Sequence, residues 1–211
     1  MNGEPQNDGR RRLITWQGPE PRRIDVAHVH LGADRLSAHG SSTCADHVLT
    51  YRLRTGAAWV TRELDVAVEG DGWRRTLMLR RSQSGHWSAR RRESSRAGPE
   101  TDEQVALPDL DTALDCDLGL CPLTNTMPIL RTGLVGASQR GEVRRAELTM
   151  AWVSVPDLRV TSSAQVYESG VPVVGGGARI RFSSEGFAAH IEVDGDGLVA
   201  SYPSIGRRLP V

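Results

Sequence analysis

Hydrophobic and polar residues alternate with a period of two along most of the chain, the repeat of a strand with one dry and one wet face. In the run Leu49, Thr50, Tyr51, Arg52, Leu53, Arg54 the apolar and aromatic side chains fall on one side and the polar ones on the other. Leu64, Val66 and Val68 alternate with Glu63, Asp65 and Ala67, and Trp87 and Ala89 alternate with Ser88 and Arg90. Leu77, Met78 and Leu79 lead out to Arg80 and Arg81. The rhythm returns in Leu148, Met150 and Trp152, in Ile180 and Phe182, and in Phe187, Ala189, Ile191 and Val193. Glycine-containing turn signals at 54–56, 69–72, 82–85, 184–186 and 194–197 punctuate these runs, as in an antiparallel meander. No stretch combines helical apolar spacing with a cap, so no helix is predicted. The predicted class is all-β.

A chain of 211 residues has room for roughly a dozen strands, and an open twisted sheet of that size curls, splits or closes. The expected architecture is a large rolled antiparallel β-barrel or half-barrel, a β-roll enclosing a ligand cavity. Residues 1–12 read as a disordered polar tail and 13–211 as a single domain. The polar stretch 92–108 reads as an exposed loop and as a boundary between halves. A loosely parallel series of strand and turn signals on its two sides suggests an internal two-fold duplication.

Composition narrows the function classes. All 26 basic residues are arginine and they balance 26 acidic residues, giving a net charge of zero. The missing lysine reads as GC-rich coding. Neutrality argues against nucleic acid and anionic membrane surfaces as charge-driven partners. The clusters Arg10–Arg12, Arg80–Arg81, Arg90–Arg92 and Arg207–Arg208 therefore read as solvated faces or intrachain ion pairs. No apolar run is long enough to span a bilayer, which predicts no integral membrane association. The polar beginning of the chain and the sparse, odd set of Cys44, Cys116 and Cys121 predict a cytoplasmic protein with reduced thiols. Cys116 and Cys121 make half a metal site without a second half, and His28 with His30 reads as a solvated pair, so no metal is predicted.

One segment departs from alternation: Asp115, Cys116, Asp117 and Leu118, then Cys121, Pro122, Thr124, Asn125, Thr126, Met127, Pro128, Ile129 and Arg131. Two carboxylates at i and i+2 on an extended backbone share a side and repel unless solvated, hydrogen-bonded or paired with arginine. The two prolines stiffen a loop whose hydroxyls and amide can cap backbone groups or a ligand's hydroxyls. This run resembles the signature of a bacterial family known as putative glycolipid-binding proteins. Tyr51 and Arg52, Trp59 and Arg62, Leu77 and Leu79, and Gly85 and Trp87 precede it in the family's order. Trp152, Val153, Val155, Pro156 and Leu158, then Gln165 and Tyr167, then the stretch from Val193 to Pro203 follow it. The match covers about residues 38–208. Met127 stands where the family tends to have leucine. Leu130, Arg131 and Thr132 replace its double-arginine ending, leaving one guanidinium in the segment for two carboxylates. The resemblance implies a rolled β-barrel or half-barrel with two-fold character, a cavity and a lipid-type ligand.

A carrier of lipid or glycolipid needs an apolar slot for the tails and a polar mouth for the sugar. Asp115, Asp117, Thr124, Asn125, Thr126, Arg131 and Tyr167 are the candidate polar contacts, and Trp59, Trp87 and Trp152 the candidate stacking platforms. Each tryptophan also reads as core, and the aspartate pair also reads as a brace for the Thr124–Thr126 loop through Arg131 or Arg62. The alternative function is a hydrolase acting on a glycoside or lipid ester with Asp115 and Asp117. No nucleophile elbow accompanies them, and the glycines at 175–177 precede no helix. The sequence therefore predicts binding of an amphiphile without chemistry and without a cofactor.

Overall fold

The computed structural model describes residues 9–19, 22–96 and 98–210. Eight strands follow one another as a meander: β1 (Arg10–Gly18), β2 (Arg23–Leu31), β3 (Leu36–Thr43), β4 (His47–Thr55), β5 (Thr61–Gly70), β6 (Trp73–Arg81), β7 (Trp87–Ser95) and β8 (Gly98–Val105). The chain then crosses to the far edge of the same sheet as β9 (Asp115–Leu118). Two short helices follow, α1 (Thr126–Arg131) and α2 (Leu134–Gln139). The remaining strands are β10 (Arg145–Val153), β11 (Val160–Glu168), β12 (Pro172–Val173), β13 (Gly177–Ser184), β14 (Phe187–Val193), β15 (Val199–Tyr202) and β16 (Gly206–Arg208). The sheet runs β8 to β1, then β16 to β13, then β11, β10 and β9, with β12 pairing off this path to β13.

The predicted all-β class holds, and the sheet is open: β8 and β9 are its edges and do not pair. Laid flat, fifteen strands would span roughly 65–70 Å at strand spacing. Residues 106–114, the link from one edge strand to the other, can reach only about 30–36 Å when extended. The sheet must therefore roll until its edges approach. Thr61 N–H donating to Leu114 O at 3.0 Å, and β9 packing against β5, show where that strap lands.

Strand order within β1–β8 repeats in β9–β16, as end-to-end joining of two meanders through the β1–β16 pair requires. The equivalence breaks at β9, which is four residues long and runs parallel to β10. Parallel neighbours need a long crossover, and residues 119–144 with α1 and α2 provide it.

Three expectations are corrected. Most of the 92–108 stretch is not a loop but the end of β7 and nearly all of β8, which has seven exposed positions in eight and so carries no period-two signal. Two helices exist where none was predicted; at six residues each they are too short for apolar periodicity to register. Pro128 fits the first turn of α1, where its missing N–H breaks no bond, and Gly133 at φ 67° separates the helices. Finally, Arg10–Arg12, read as tail, open β1, while residues 1–8 lie outside the described set.

The helical crossover also fills the space expected to be a cavity. Apolar inner faces of β1–β7 meet Leu118, Leu123 and Met127 in one core, while Ile129 and Leu134 join Met150, Tyr167, Ile180 and Val193 in a second. Thus α1 plugs the roll, with Met127 facing one core and Ile129 the other. A pocket lined by Trp16, Arg23, Tyr51 and Cys121 holds about 20 Å³, room for one water molecule. The arginine clusters are largely ion-paired. Arg10 and Arg12 meet Asp196, Arg90 and Arg92 meet Asp102, and Arg208 meets Asp194. All three cysteines are free thiols.

Candidate functional site

The signature segment enters as β9, in parallel register with β10, so that Asp115 lies opposite Met150 and Asp117 opposite Trp152. A 3-10 turn over Pro122–Asn125 then hands the chain to α1. This path carries Arg131, at the end of α1, back to Asp115. Its Nη1 donates to Asp115 Oδ1 at 2.5 Å, and the carboxylate is fully buried. Asp115 Oδ2 has no hydrogen-bond partner among the described residues. Burial pushes the Asp115 carboxyl up to about 6, outweighing the pull of Arg131; the nearby Asp117 pushes the same way. Arg81 also lies within electrostatic reach, its Nε donating to Ala113 O at 3.0 Å.

Asp117 has no guanidinium partner among the described residues. Thr124 Oγ1 donates to its Oδ1 at 2.9 Å and Gln165 Nε2 to its Oδ2 at 2.8 Å. Burial raises this carboxyl too, against those two hydrogen bonds. The chain continues outward: the Tyr167 hydroxyl lies 3.0 Å from both Gln165 Oε1 and Asn125 Oδ1. One hydroxyl proton serves two acceptors poorly. A protonated Asp117 resolves the count: it donates to Gln165 with the amide turned over, Gln165 donates to Tyr167, and Tyr167 donates to Asn125. Asn125 Nδ2 holds Pro122 O at 3.2 Å, which closes the 3-10 turn.

Six of the predicted site residues thus gather in two neighbouring groups, Asp115 with Arg131 and Asp117 with Thr124, Asn125 and Tyr167, which sense each other electrostatically. Thr126 is buried beside them with its hydroxyl unpartnered. The tryptophans are dispersed. Trp87 is core, its Nε1 donating to Ala113 O at 3.0 Å. Trp59 ends a turn at Ala57–Trp59 in which Ala58 and Trp59 both adopt left-handed φ, 53° and 55°; this turn packs on α1, and the indole N–H is buried without a partner. Trp152 is half-buried on β10, near Gly119. Gln165 was missed as a network member; its signal was its place two residues before Tyr167 on the same strand face.

Asp117→Ala removes the partner of the Gln165 amide and one of the two acceptors of the Thr124 hydroxyl, which keeps Cys121 O at 3.1 Å. It is expected to cost about 2–4 kcal/mol, several degrees of melting temperature. Asp117→Asn reproduces the neutral acid's hydrogen bonds and stays within about 1 kcal/mol of the parent. Thermal melts of the two variants check both; an unchanged Asp117→Ala melt contradicts the bracing role.

Matched against protein families, residues 13–208 fit the family described as "Putative glycolipid-binding". The chain belongs to this family. Among solved structures it is similar to the crystal structure of a DUF1089 family protein from Pseudomonas aeruginosa, at 28% identity and a TM-score of 0.62. That match covers 92% of this chain and 95% of the other. No curated protein matches the chain. Family membership supports a binding role, and the signature that defines the resemblance is the segment that plugs the roll. Among the described residues no helix is long and apolar enough to cross a membrane.

Proposed function

We propose that the protein binds a lipid-type amphiphile of the glycolipid class and releases it unchanged. The family match over residues 13–208 carries this reading. The site lies where the strap 106–114 crosses the open edges of the roll. A groove of about 250 Å³ there, lined in part by Trp87, Val105, Leu107 and Leu110, takes the apolar tail. The head group falls to three of the six buried polar atoms without a partner among the described residues, Asp115 Oδ2, Thr126 Oγ1 and Trp59 Nε1, because unpartnered buried polar atoms are rare and mark a missing partner. Arg131 orients Asp115, while Asp117, Thr124, Asn125 and Tyr167 hold the plug that presents it. Trp152, half-buried on the neighbouring strand, is the remaining sugar-stacking candidate.

Two features support binding over hydrolysis. Both Asp117 oxygens are already engaged in hydrogen bonds with Thr124 and Gln165, and Asp115 is buried against a guanidinium, so no carboxylate pair faces a common reacting atom. The test is a thermal-shift panel of alkyl glycosides and diacyl glycolipids. A ligand at about 100 times its Kd adds about 2.7 kcal/mol, a shift of roughly 5–10 °C, and Leu110→Asp removes it. A panel without any shift contradicts the reading. Turnover of a chromogenic glycoside or ester that is abolished by Asp115→Asn replaces it with the hydrolase.

A further inference from the structure

The outer face of β1–β4 carries a groove of about 710 Å³, on the wet side of the sheet and away from the signature segment. Two cross-strand rows build it. In one, Arg11 lies opposite His30, His30 opposite Ser37 and Ser37 opposite Arg54. In the other, His28 lies opposite His39 and His39 opposite Arg52, with the two imidazoles stacked at 4.8 Å and 7° between planes. Ser37, the shortest side chain of its row, forms a floor between these walls. Among the described residues no aspartate or glutamate lines the groove.

Many exposed arginines of this sheet meet an acid across the strand, as in Arg179 with Glu192, Arg181 with Glu168 and Arg90 with Asp102. Here Arg54 leans on Glu63 at 3.3 Å and Arg12 on Asp196 at 2.9 Å. Arg11 and Arg52 make no ion pair among the described residues. The carboxylate opposite Arg52, that of Asp65, is taken by Arg80 at 2.6 Å. Like charges side by side on a sheet destabilise it, and this chain has an equal number of acids from which to compensate them.

We propose that this groove is a binding site for a soluble phosphate monoester or pyrophosphate, with Arg11, Arg52 and Arg54 as the charged contacts, His28 and His39 as ring donors, and the Ser37 hydroxyl at the floor. Guanidinium groups grip phosphate oxygens in pairs, and imidazole and hydroxyl donors complete such a shell. The volume falls within the range of small-molecule sites. A floor recessed behind arginine walls suits a compact ligand and not a planar bilayer. The site is independent of the amphiphile reading: its ligand carries no acyl chain and its residues lie on the other face of the sheet.

Calorimetric titration of pyrophosphate and glycerol 3-phosphate into the full chain, at about 20 mM and about 200 mM salt, tests it. Saturable binding that weakens at the higher salt is expected, with shifts of the His28 and His39 ring resonances on a parallel NMR titration. The double variant Arg11→Gln, Arg52→Gln weakens binding by roughly tenfold or more with an unchanged melt, since both side chains are exposed. Ser37→Glu places a fixed carboxylate on the floor and abolishes binding. No saturable heat, equal binding by the variants, or binding confined to vesicles containing phosphatidic acid overturns the proposal. Lipid-panel results bear on the amphiphile reading alone.

Discussion

Arg131→Ala is expected to lower the unfolding free energy by about 3–5 kcal/mol in mildly alkaline solution, about pH 9, because it leaves the fully buried carboxylate of Asp115 without its one bonded partner. For a chain of this size that is roughly 6–20 °C of melting temperature. The variant Arg131→Lys recovers part of the loss, since an ammonium restores charge but not the planar guanidinium geometry. The double variant Asp115→Leu, Arg131→Met regains most of it, as apolar replacement of a buried ion pair commonly does. The penalty in Arg131→Ala shrinks in mild acid. Without the guanidinium the Asp115 carboxyl rises further, and once protonated it is no longer an uncompensated charge. Melts at two pH values, with the double variant as control, separate this cause from simple loss of α1 packing.

The second large effect is a pH dependence with an unusual sign. A carboxylate that gains a partner on folding usually stabilises the native state as pH rises. Asp115 does the opposite, because burial lifts its carboxyl from its ordinary value of 3.8 to about 6. Between those values the unfolded chain has released the proton and the folded chain keeps it, so stability falls as pH rises through this window and levels off above it. The contribution amounts to about 3 kcal/mol. Asp117, also raised by burial, adds in the same direction. In Asp115→Asn the titrating group is gone. The stability of the parent relative to this variant should therefore drop by about 3 kcal/mol from about pH 4 to about pH 7. Urea unfolding across that range measures it; a flat or rising difference contradicts the burial argument.

Both effects arise from residues the sequence singles out, but for reasons only partly legible there. The i, i+2 aspartates on an extended segment announce an electrostatic problem, and the lone Arg131 announces half of its solution. The other half, Thr124 and Gln165 on Asp117, depends on the crossover that makes β9 parallel to β10 and brings residue 165 to residue 117. Nothing local encodes that encounter. The strands with one dry face are legible from alternation, as Leu49, Tyr51 and Leu53 show by being buried in turn. Edge strand β8 is invisible because both its faces are wet. The helices that fill the roll escape periodicity, although Pro122 and Pro128 before Gly133 carry start and stop signals. The expected cavity follows from strand number and from the family resemblance, and neither shows the crossover that occupies it.

Native mass spectrometry of the gently purified full chain, with organic extraction of whatever it carries, tests the proposed amphiphile binding most directly. The predicted result is a population heavier than the polypeptide by the mass of a lipid or glycolipid. That species is lost on extraction, restored by adding it back, and diminished in Leu110→Asp. A polypeptide that stays bare, both as purified and after exposure to the glycolipid panel, contradicts it.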